Sequence, residues 1–179
     1  MEIVLPLALL LLPLAWWIGN YNGLVRMENH CKESWSGVDT ELKRRYDLIP
    51  NLVRTVQGYA AHEAQTLQHL AAARANAVSQ EVTEVGQQQT ALVQELHRLV
   101  LVAENYPALR ADAHFLELQH ELVNTEDRIQ AARRFFNANV RDLNNRVEMF
   151  PSSLVASMGG FRTRLYFEVQ ELALPRVQP

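Results

Sequence analysis

The sequence predicts an all-α protein: an N-terminal transmembrane helix, a long antiparallel bundle of about four helices, and a short amphipathic C-terminal segment. Three observations predict this architecture. Residues 3 to 18 are apolar and contain no ionisable side chain. The residues that follow repeat apolar side chains every three or four positions, the period of a helix with one buried face. Sustained alternation of β-branched residues between turns, the mark of strands, is missing from the sequence.

These observations divide the chain into three parts. We predict a transmembrane anchor at residues 1–20 and a helical bundle at 21–151. Residues 152–179 form an apolar tail that packs on the bundle, on a partner or on the membrane.

The apolar run is slightly shorter than the roughly 20 residues that span a bilayer core. It reaches that length if its aromatic residues sit in the headgroup zone, where amphipathic rings are favoured. A cleaved secretory signal is the alternative, but it requires a basic start and a small-residue cleavage site, whereas this chain starts Met1-Glu2. We therefore predict an uncleaved, single-pass anchor whose membrane-facing residues are Ile3, Leu5, Leu9, Leu12, Trp16, Trp17 and Ile18.

The orientation of this anchor is only weakly indicated. The nearest basic residues, Arg26 and Lys32, both follow the apolar run. The positive-inside tendency therefore favours the cytoplasm for the bundle. Two charges give a weak bias, so the side of the membrane stays open.

Composition excludes one class of partner. The 179 residues include 17 basic and 20 acidic side chains, for a net charge of −3. Binding of nucleic acid requires a basic face, and the sequence contains no long block of like charge. We therefore predict no nucleic-acid partner.

The bundle helices are predicted in order along the chain. The first continues from the anchor and ends before Pro50, because proline disfavours α geometry in the residue before it and lacks a backbone donor. The second begins at Pro50 and fades in the polar stretch of residues 79–89. The third carries apolar residues from Leu92 to Ala103 and stops before Pro107.

The fourth helix has the clearest pattern. Apolar positions from Phe115 to Phe150 have a mean spacing of about 3.5 residues, the coiled-coil period. Asp112 is suited to cap its N-terminus, and Pro151 ends it. Such a long seam must be buried against other helices, either of this chain or of another.

The sequence indicates no catalytic, cofactor-binding or metal-binding site. His62-Glu63 lacks the second histidine four residues away that a metalloprotease helix needs. Cys31 lies on the apolar stripe of its helix, where cysteine acts as a small inert hydrophobic residue. We therefore predict that the protein is not an enzyme and binds neither metal nor cofactor.

Polar residues on the predicted helices have two interpretations. Gln119, Glu126 and Arg133 are spaced by seven, and basic side chains crowd the region before Pro50. We interpret the set, which includes Arg44, Arg45, Asp47 and Arg74, as interhelical ion pairs and hydrogen bonds that fix helix register. A polar binding groove is the alternative.

Two segments resemble the LemA family. The first contains RRYDLIPNLV, an Asp-x-x-Pro-Asn sequence between helical stripes that generic coiled coils lack. The second contains the series FLELQ, E-x-RI, AAR and FP. The resemblance extends from about Tyr21 to Phe167, and the chain departs from typical members in lacking N-terminal lysines.

This resemblance implies a bacterial, membrane-anchored protein with a helical bundle and no established enzymatic activity. It also implies a place in the inner membrane, and gene neighbours that include HtpX-type membrane metalloproteases. One branch of the family takes part in building magnetosome membranes. The partners expected from the resemblance are therefore membrane lipid and an integral-membrane protease.

Two functions are consistent with these patterns. The first is a scaffold that forms homo-oligomers or docks beside an integral-membrane protein. The second is a membrane-remodelling protein whose C-terminal tail binds lipid, since Arg162 and Arg164 accompany aromatic residues there. For the scaffold, we predict an interaction surface formed by Phe136, Val140, Phe150, Phe161, Leu165 and Phe167.

Overall fold

The computed structural model describes residues 4–60, 62–77 and 82–169, with side chains omitted for 4–10 and 82–84. All regular secondary structure in these ranges is helical, which confirms the predicted class. Six helices are described, where about four bundle helices were predicted: α1 (Val4–Tyr59), α2 (Ala64–Asn76), α3 (Val82–Ala103), α4 (Pro107–Arg110), α5 (Ala113–Glu148) and α6 (Ser152–Gly159).

The predicted break at Pro50 is wrong, because α1 continues to Tyr59. Pro50 has no N–H to donate to the carbonyl of Tyr46, four residues earlier in the helix. Arg74 of α2 donates its Nε to that carbonyl at 2.8 Å. The neighbouring helix therefore supplies the hydrogen bond that proline removes. The first part of the predicted second helix belongs to α1, and its second part forms α2.

The predicted ends of the later helices agree better with the structure. α3 ends at Ala103, and Pro107 begins α4. The N–H of Phe115 donates to Asp112 Oδ1 at 2.9 Å, which confirms Asp112 as the cap of α5.

A short sixth helix lies in the predicted tail. α6 ends at Gly159 and is followed by Gly160, which has a left-handed backbone with φ of 74°. Glycine adopts this conformation without the steric cost of a side chain. The N–H of Phe161 then donates to the carbonyl of Ala156 at 3.0 Å, a pattern typical of helix C-termini.

Contacts divide the chain into two compact units. The first unit comprises Met1–Ser36 and Arg134–Tyr166, and the second comprises Gly37–Arg133 and Phe167–Pro179. α1 and α5 each contribute residues to both. The predicted division into anchor, bundle and tail is based on hydropathy and stays a prediction.

The second unit has an extensive apolar core contributed by α1, α2, α3, α4 and α5. Its buried side chains include Ile49, Leu52, Val56, Leu67, Leu70, Leu92, Leu96, Leu99, Leu109, Phe115 and Leu122. Burial of so many branched and aromatic side chains supplies the main driving force for folding this unit.

The first unit is packed around aromatic and small side chains. Cys31 and Val140 are completely buried in it, and Phe136 is only 2% exposed. The rings of Trp35 and Phe136 lie 5.2 Å apart. This contact joins α1 to α5 within the unit.

The chain that follows α6 contributes residues to each unit. In the first unit, Arg164 contacts Glu28 at 3.0 Å and donates its backbone N–H to Asn144 Oδ1 at 2.8 Å. In the second unit, Phe167 is completely buried. Gly86 of α3 has no side chain, and the carbonyl of Glu168 occupies the space that a Cβ would need.

Within the described residues, no helix includes a segment that is both sufficiently long and sufficiently apolar to cross a bilayer. Three of the predicted anchor positions, Ile3 and the side chains of Leu5 and Leu9, lie outside that description. Leu12, Trp16 and Ile18 are 70%, 42% and 50% exposed, and Trp17 is partly buried.

Candidate functional site

A buried polar network lies inside the second unit. Arg45 of α1 is 1% exposed, and Gln89 of α3 is completely buried. One Arg45 nitrogen lies 2.6 Å from Glu126 Oε2 of α5, and the other terminal nitrogen donates to Gln89 Oε1. This arrangement confirms the interpretation of Arg45 and Glu126 as an interhelical ion pair.

Tyr46 extends the network to the end of α2. Its hydroxyl donates to the carbonyl of Ala77 at 2.7 Å, and Gln89 Nε2 donates to the same carbonyl at 3.2 Å. Gln89 Nε2 also donates to the Tyr46 hydroxyl. Burial raises the pKa of Tyr46 above its ordinary value, an effect that the Gln89 hydrogen bond only partly offsets. The phenol therefore stays protonated and remains a donor at neutral pH.

The network specifies helix register. A seam of leucines tolerates sliding, whereas a shift that separates Arg45 from Glu126 leaves a buried charge uncompensated. Three of the other predicted polar residues lie outside the network: Arg44 and Asp47 are exposed, and Arg133 donates to the carbonyl of Val169 at 3.0 Å. The arrangement of Arg45, Gln89 and Glu126 is therefore better suited to holding the helices in register than to catalysing a reaction.

Sequence reasoning missed two members of this network. Gln89 belongs to the polar stretch in which the second helix is predicted to fade, and nothing in the sequence pattern singles out Tyr46 as a polar contact. A signal was present for Gln89, since it lies three residues before Leu92 and seven before Leu96, on the buried face of α3.

An open groove of about 560 Å³ lies between α1 and α5 in the second unit. It is lined by Leu48, Asn51, Arg54, Thr55, His114, Glu117, Leu118 and Glu121. The hydroxyl of Thr55 already donates to the carbonyl of Asn51 at 3.1 Å. The groove therefore presents both charged and apolar side chains, and its Thr55 hydroxyl is hydrogen bonded within α1.

Cysteine and histidine residues give no further site. Burial raises the pKa of the Cys31 thiol, which keeps it protonated and unreactive at neutral pH. Across the described ranges, no three His, Cys, Asp or Glu side chains converge in a way that would hold a metal ion.

Exposed apolar side chains form two surfaces on the first unit. One is the beginning of α1, where Leu11, Leu12, Leu14, Trp16 and Ile18 are all at least 42% exposed. The other is the turn after α5 together with α6, where Met149, Phe150, Leu154 and Met158 are 62%, 79%, 53% and 77% exposed. Large exposed apolar surfaces are typical of protein or membrane contacts.

The predicted interaction residues separate into two classes. Phe150 and Leu165 are 79% and 66% exposed, which leaves them available to a partner. Phe136, Val140 and Phe167 are buried within the chain, and Phe161 packs its ring 5.4 Å from that of Tyr21. Their role in contacts between subunits stays a prediction.

Comparison with known proteins gives a consistent family relationship. Two magnetosome proteins, MamQ of Magnetospirillum gryphiswaldense and MamQ 2 of Paramagnetospirillum magneticum, are each 25% identical over 82% and 83% of this chain. The chain spans 64% of the length of both relatives. Protein LemA of Metamycoplasma hominis is 23% identical over 87% of this chain and 72% of its own length.

A family model gives an independent match. It is the model of the LemA family, and it matches residues 34–178. That range contains the buried polar network, α6 and the segment that packs after it. The chain therefore belongs to the LemA family.

Proposed function

We propose that this protein is a non-enzymatic, membrane-anchored accessory protein of the bacterial envelope. The observation that carries this proposal is the run of exposed apolar side chains between Leu11 and Ile18 on α1. Leaving these side chains in water would cost free energy that insertion into lipid recovers. In this proposal the start of α1 anchors the protein as a single-pass helix.

The family relationship supports a role beside other membrane components. Relatives named as magnetosome proteins are consistent with a function in organising a membrane. The helical domain would then serve as a scaffold held close to its partners, because confinement to a membrane raises their effective concentration. An integral-membrane protease of the HtpX type and further copies of this chain are the partners we propose.

Fractionation of bacterial membranes tests the anchor. We expect the full-length protein to stay in the pellet after alkaline extraction. A Leu9→Arg/Leu12→Arg variant should move to the supernatant, since each arginine costs roughly 2.5–3.5 kcal/mol at a helix centre in the bilayer. The matched control is Leu101→Arg, which changes a 44% exposed leucine outside the apolar run and should leave the protein in the pellet.

Two results would contradict the anchor proposal. One is release of the unmodified protein by the alkaline wash. The other is an intact mass that lacks the first residues, which would indicate a cleaved signal.

The scaffold proposal requires a separate measurement. We expect the protein in lipid nanodiscs to have a multimeric native mass, or to bind a membrane protease in a fixed ratio. A Leu165→Ser variant removes an exposed apolar side chain and should reduce the assembly while leaving helicity intact. Unchanged assembly would exclude this residue from the interface.

The second candidate function is a membrane-remodelling protein that contacts lipid outside its anchor. Exposed Leu165 and Tyr166, 66% and 43% accessible, favour it. A monomer that retains lipid and binds no protein partner would favour this candidate over the scaffold.

A further inference from the structure

We propose that α6 and the turn before it lie on the surface of the membrane that holds α1. The contact is formed by Met149, Phe150, Leu154 and Met158, and its occupant is the lipid bilayer. This inference rests on the proposed membrane anchor and adds a second attachment point to it.

The apolar side chains of this segment form a stripe. Phe150, Leu154 and Met158 are spaced by four residues, which brings Leu154 and Met158 onto one face of α6. Each of the three is more than half exposed. Val155 and Ala156, in contrast, are buried. The helix therefore has two apolar faces, of which its own chain covers one.

The segment contains no charge. Between Glu148 and Arg162, residues 149–161 include no Asp, Glu, Lys, Arg or His. The hydroxyl of Ser152 donates to the carbonyl of Met149 at 2.9 Å, and that of Ser157 donates to the carbonyl of Leu154 at 3.0 Å. These polar atoms are satisfied within the segment, so transfer to an apolar medium would not leave them unpaired.

Contacts fix the segment beside the end of the apolar run of α1. The rings of Phe161 and Tyr21 lie 5.4 Å apart, and a Cβ at Gly159 would lie 3.2 Å from Tyr21 Cε2. Near the end of α5, Arg146 donates to Asn20 Oδ1 at 3.1 Å. Asn20 and Tyr21 follow Ile18, the last residue of the run. When α1 is inserted, α6 is held at the level where α1 leaves the lipid.

Position and charge favour lipid as the occupant. The stripe belongs to the same unit as the exposed apolar side chains of α1, and the ring of Phe161 lies beside that of Tyr21, just after the apolar run. Arg162, just beyond the uncharged segment, is exposed. At the edge of a helix lying on lipid, an arginine can direct its guanidinium toward phosphate groups while its stem stays near the apolar boundary.

Fluorescent labels on single cysteines test this placement in the full-length protein. The background is Cys31→Ala, which replaces the native cysteine with another small apolar residue. Leu154→Cys and Met158→Cys carry an environment-sensitive label on α6. Phe135→Cys is the matched control: it is 64% exposed in the same unit. Its neighbour Phe136 contacts Trp35, 14 residues beyond Tyr21 on α1, or about 21 Å along the helix.

The protein is reconstituted into vesicles of phosphatidylethanolamine and phosphatidylglycerol, with and without lipids that carry a quencher on the acyl chain. We expect lipid quenching and a blue-shifted emission at 154 and 158, consistent with a depth of roughly 5–10 Å. We expect neither at 135, where an aqueous quencher should act instead.

The outcomes separate this inference from the anchor proposal. In one outcome, the protein withstands alkaline extraction, but the labels at 154 and 158 respond to the aqueous quencher as the label at 135 does. That result overturns the inference and leaves the anchor proposal intact. Protection of 154 and 158 without lipid quenching also overturns it, and identifies a second protein copy as the occupant. Failure to associate with the vesicles overturns both.

Discussion

The two units use the same pair of long helices in opposite ways. In the second unit, α1 and α5 bury a charged pair, Arg45 and Glu126, among leucines. In the first unit, the same helices lead to apolar side chains that are left exposed, with Phe150 at 79%. Buried charge specifies a single internal arrangement, whereas exposed apolar surface requires something outside the chain. The second unit is thus organised around its own core, and the first unit has an exposed apolar surface that is suited to contact with another molecule.

The largest expected effect comes from making the same substitution in both units. Phe115→Ala removes a completely buried ring from the second unit and should lower the free energy of unfolding by about 3–5 kcal/mol. Phe150→Ala removes an exposed ring from the first unit and should change it by no more than about 0.5 kcal/mol. Urea unfolding in mild detergent, followed by circular dichroism, measures both. Equal losses would remove the distinction between the units.

Breaking the buried ion pair should have the next largest effect. Glu126→Ala leaves the guanidinium of Arg45 buried without its carboxylate, which should cost about 3 kcal/mol. Glu121→Ala, an exposed glutamate on the same helix, is the control and should be nearly neutral. The same unfolding measurement applies. A neutral Glu126→Ala variant would show that the network contributes little to the second unit.

The contact between Arg74 and the Tyr46 carbonyl should depend on Pro50. Arg74→Met removes the donor and keeps an apolar stem, and we expect a loss of about 1.5 kcal/mol because the bond involves a charged group. Pro50→Ala restores an N–H that can bond the same carbonyl within α1. In that background Arg74→Met should cost about 1 kcal/mol less.

This double-mutant cycle has a clear negative outcome. If the two substitutions are additive, Arg74 does not compensate for the proline. The explanation of why α1 continues through Pro50 would then be lost.

The smallest effect is a dependence of stability on pH through Asp112. The Phe115 N–H, and then the Tyr59 hydroxyl, donate to this carboxylate and hold its pKa below the ordinary 3.8. A depressed pKa in the folded state means that the stabilisation is complete above the unfolded value and disappears as pH falls through the folded one. The difference in melting temperature between wild type and Asp112→Asn should therefore shrink from pH 7 to pH 3.

A control separates this carboxylate from general acid destabilisation. Asp127→Asn replaces an exposed aspartate in the second unit, and its difference from wild type should change little over the same range. A constant difference for Asp112→Asn at every pH would contradict the assigned hydrogen bonds.

Periodicity predicted the helices well because burial of an apolar stripe dominates their formation. The cap of α5 at Asp112 and the end of α3 before Pro107 followed from local signals. Pro50 misled the prediction because its compensation comes from Arg74, which is 28 residues along the chain from the Tyr46 carbonyl that it contacts. No local signal reports such a tertiary hydrogen bond.

The surfaces were harder to predict than the helices. A seam position such as Phe136 has the same pattern whether its own chain or another subunit covers it, so the sequence did not distinguish them. For α6, the uncharged segment from Met149 to Phe161 was a usable signal. Which side chains of α6 are exposed depends on which face of the helix is buried. Tertiary packing decides this, and it buries the face that carries Val155 and Ala156.

The most direct test of membrane anchoring is a labelling scan along α1 in native membranes. Single cysteines at Leu12, Ile18 and Glu33, in the Cys31→Ala background, are exposed in turn to a membrane-impermeant maleimide. We predict that Leu12→Cys and Ile18→Cys stay unlabelled until detergent is added, while Glu33→Cys is labelled from one side of the membrane only. Rapid labelling of all three positions without detergent would contradict the account, because it would place the start of α1 in water.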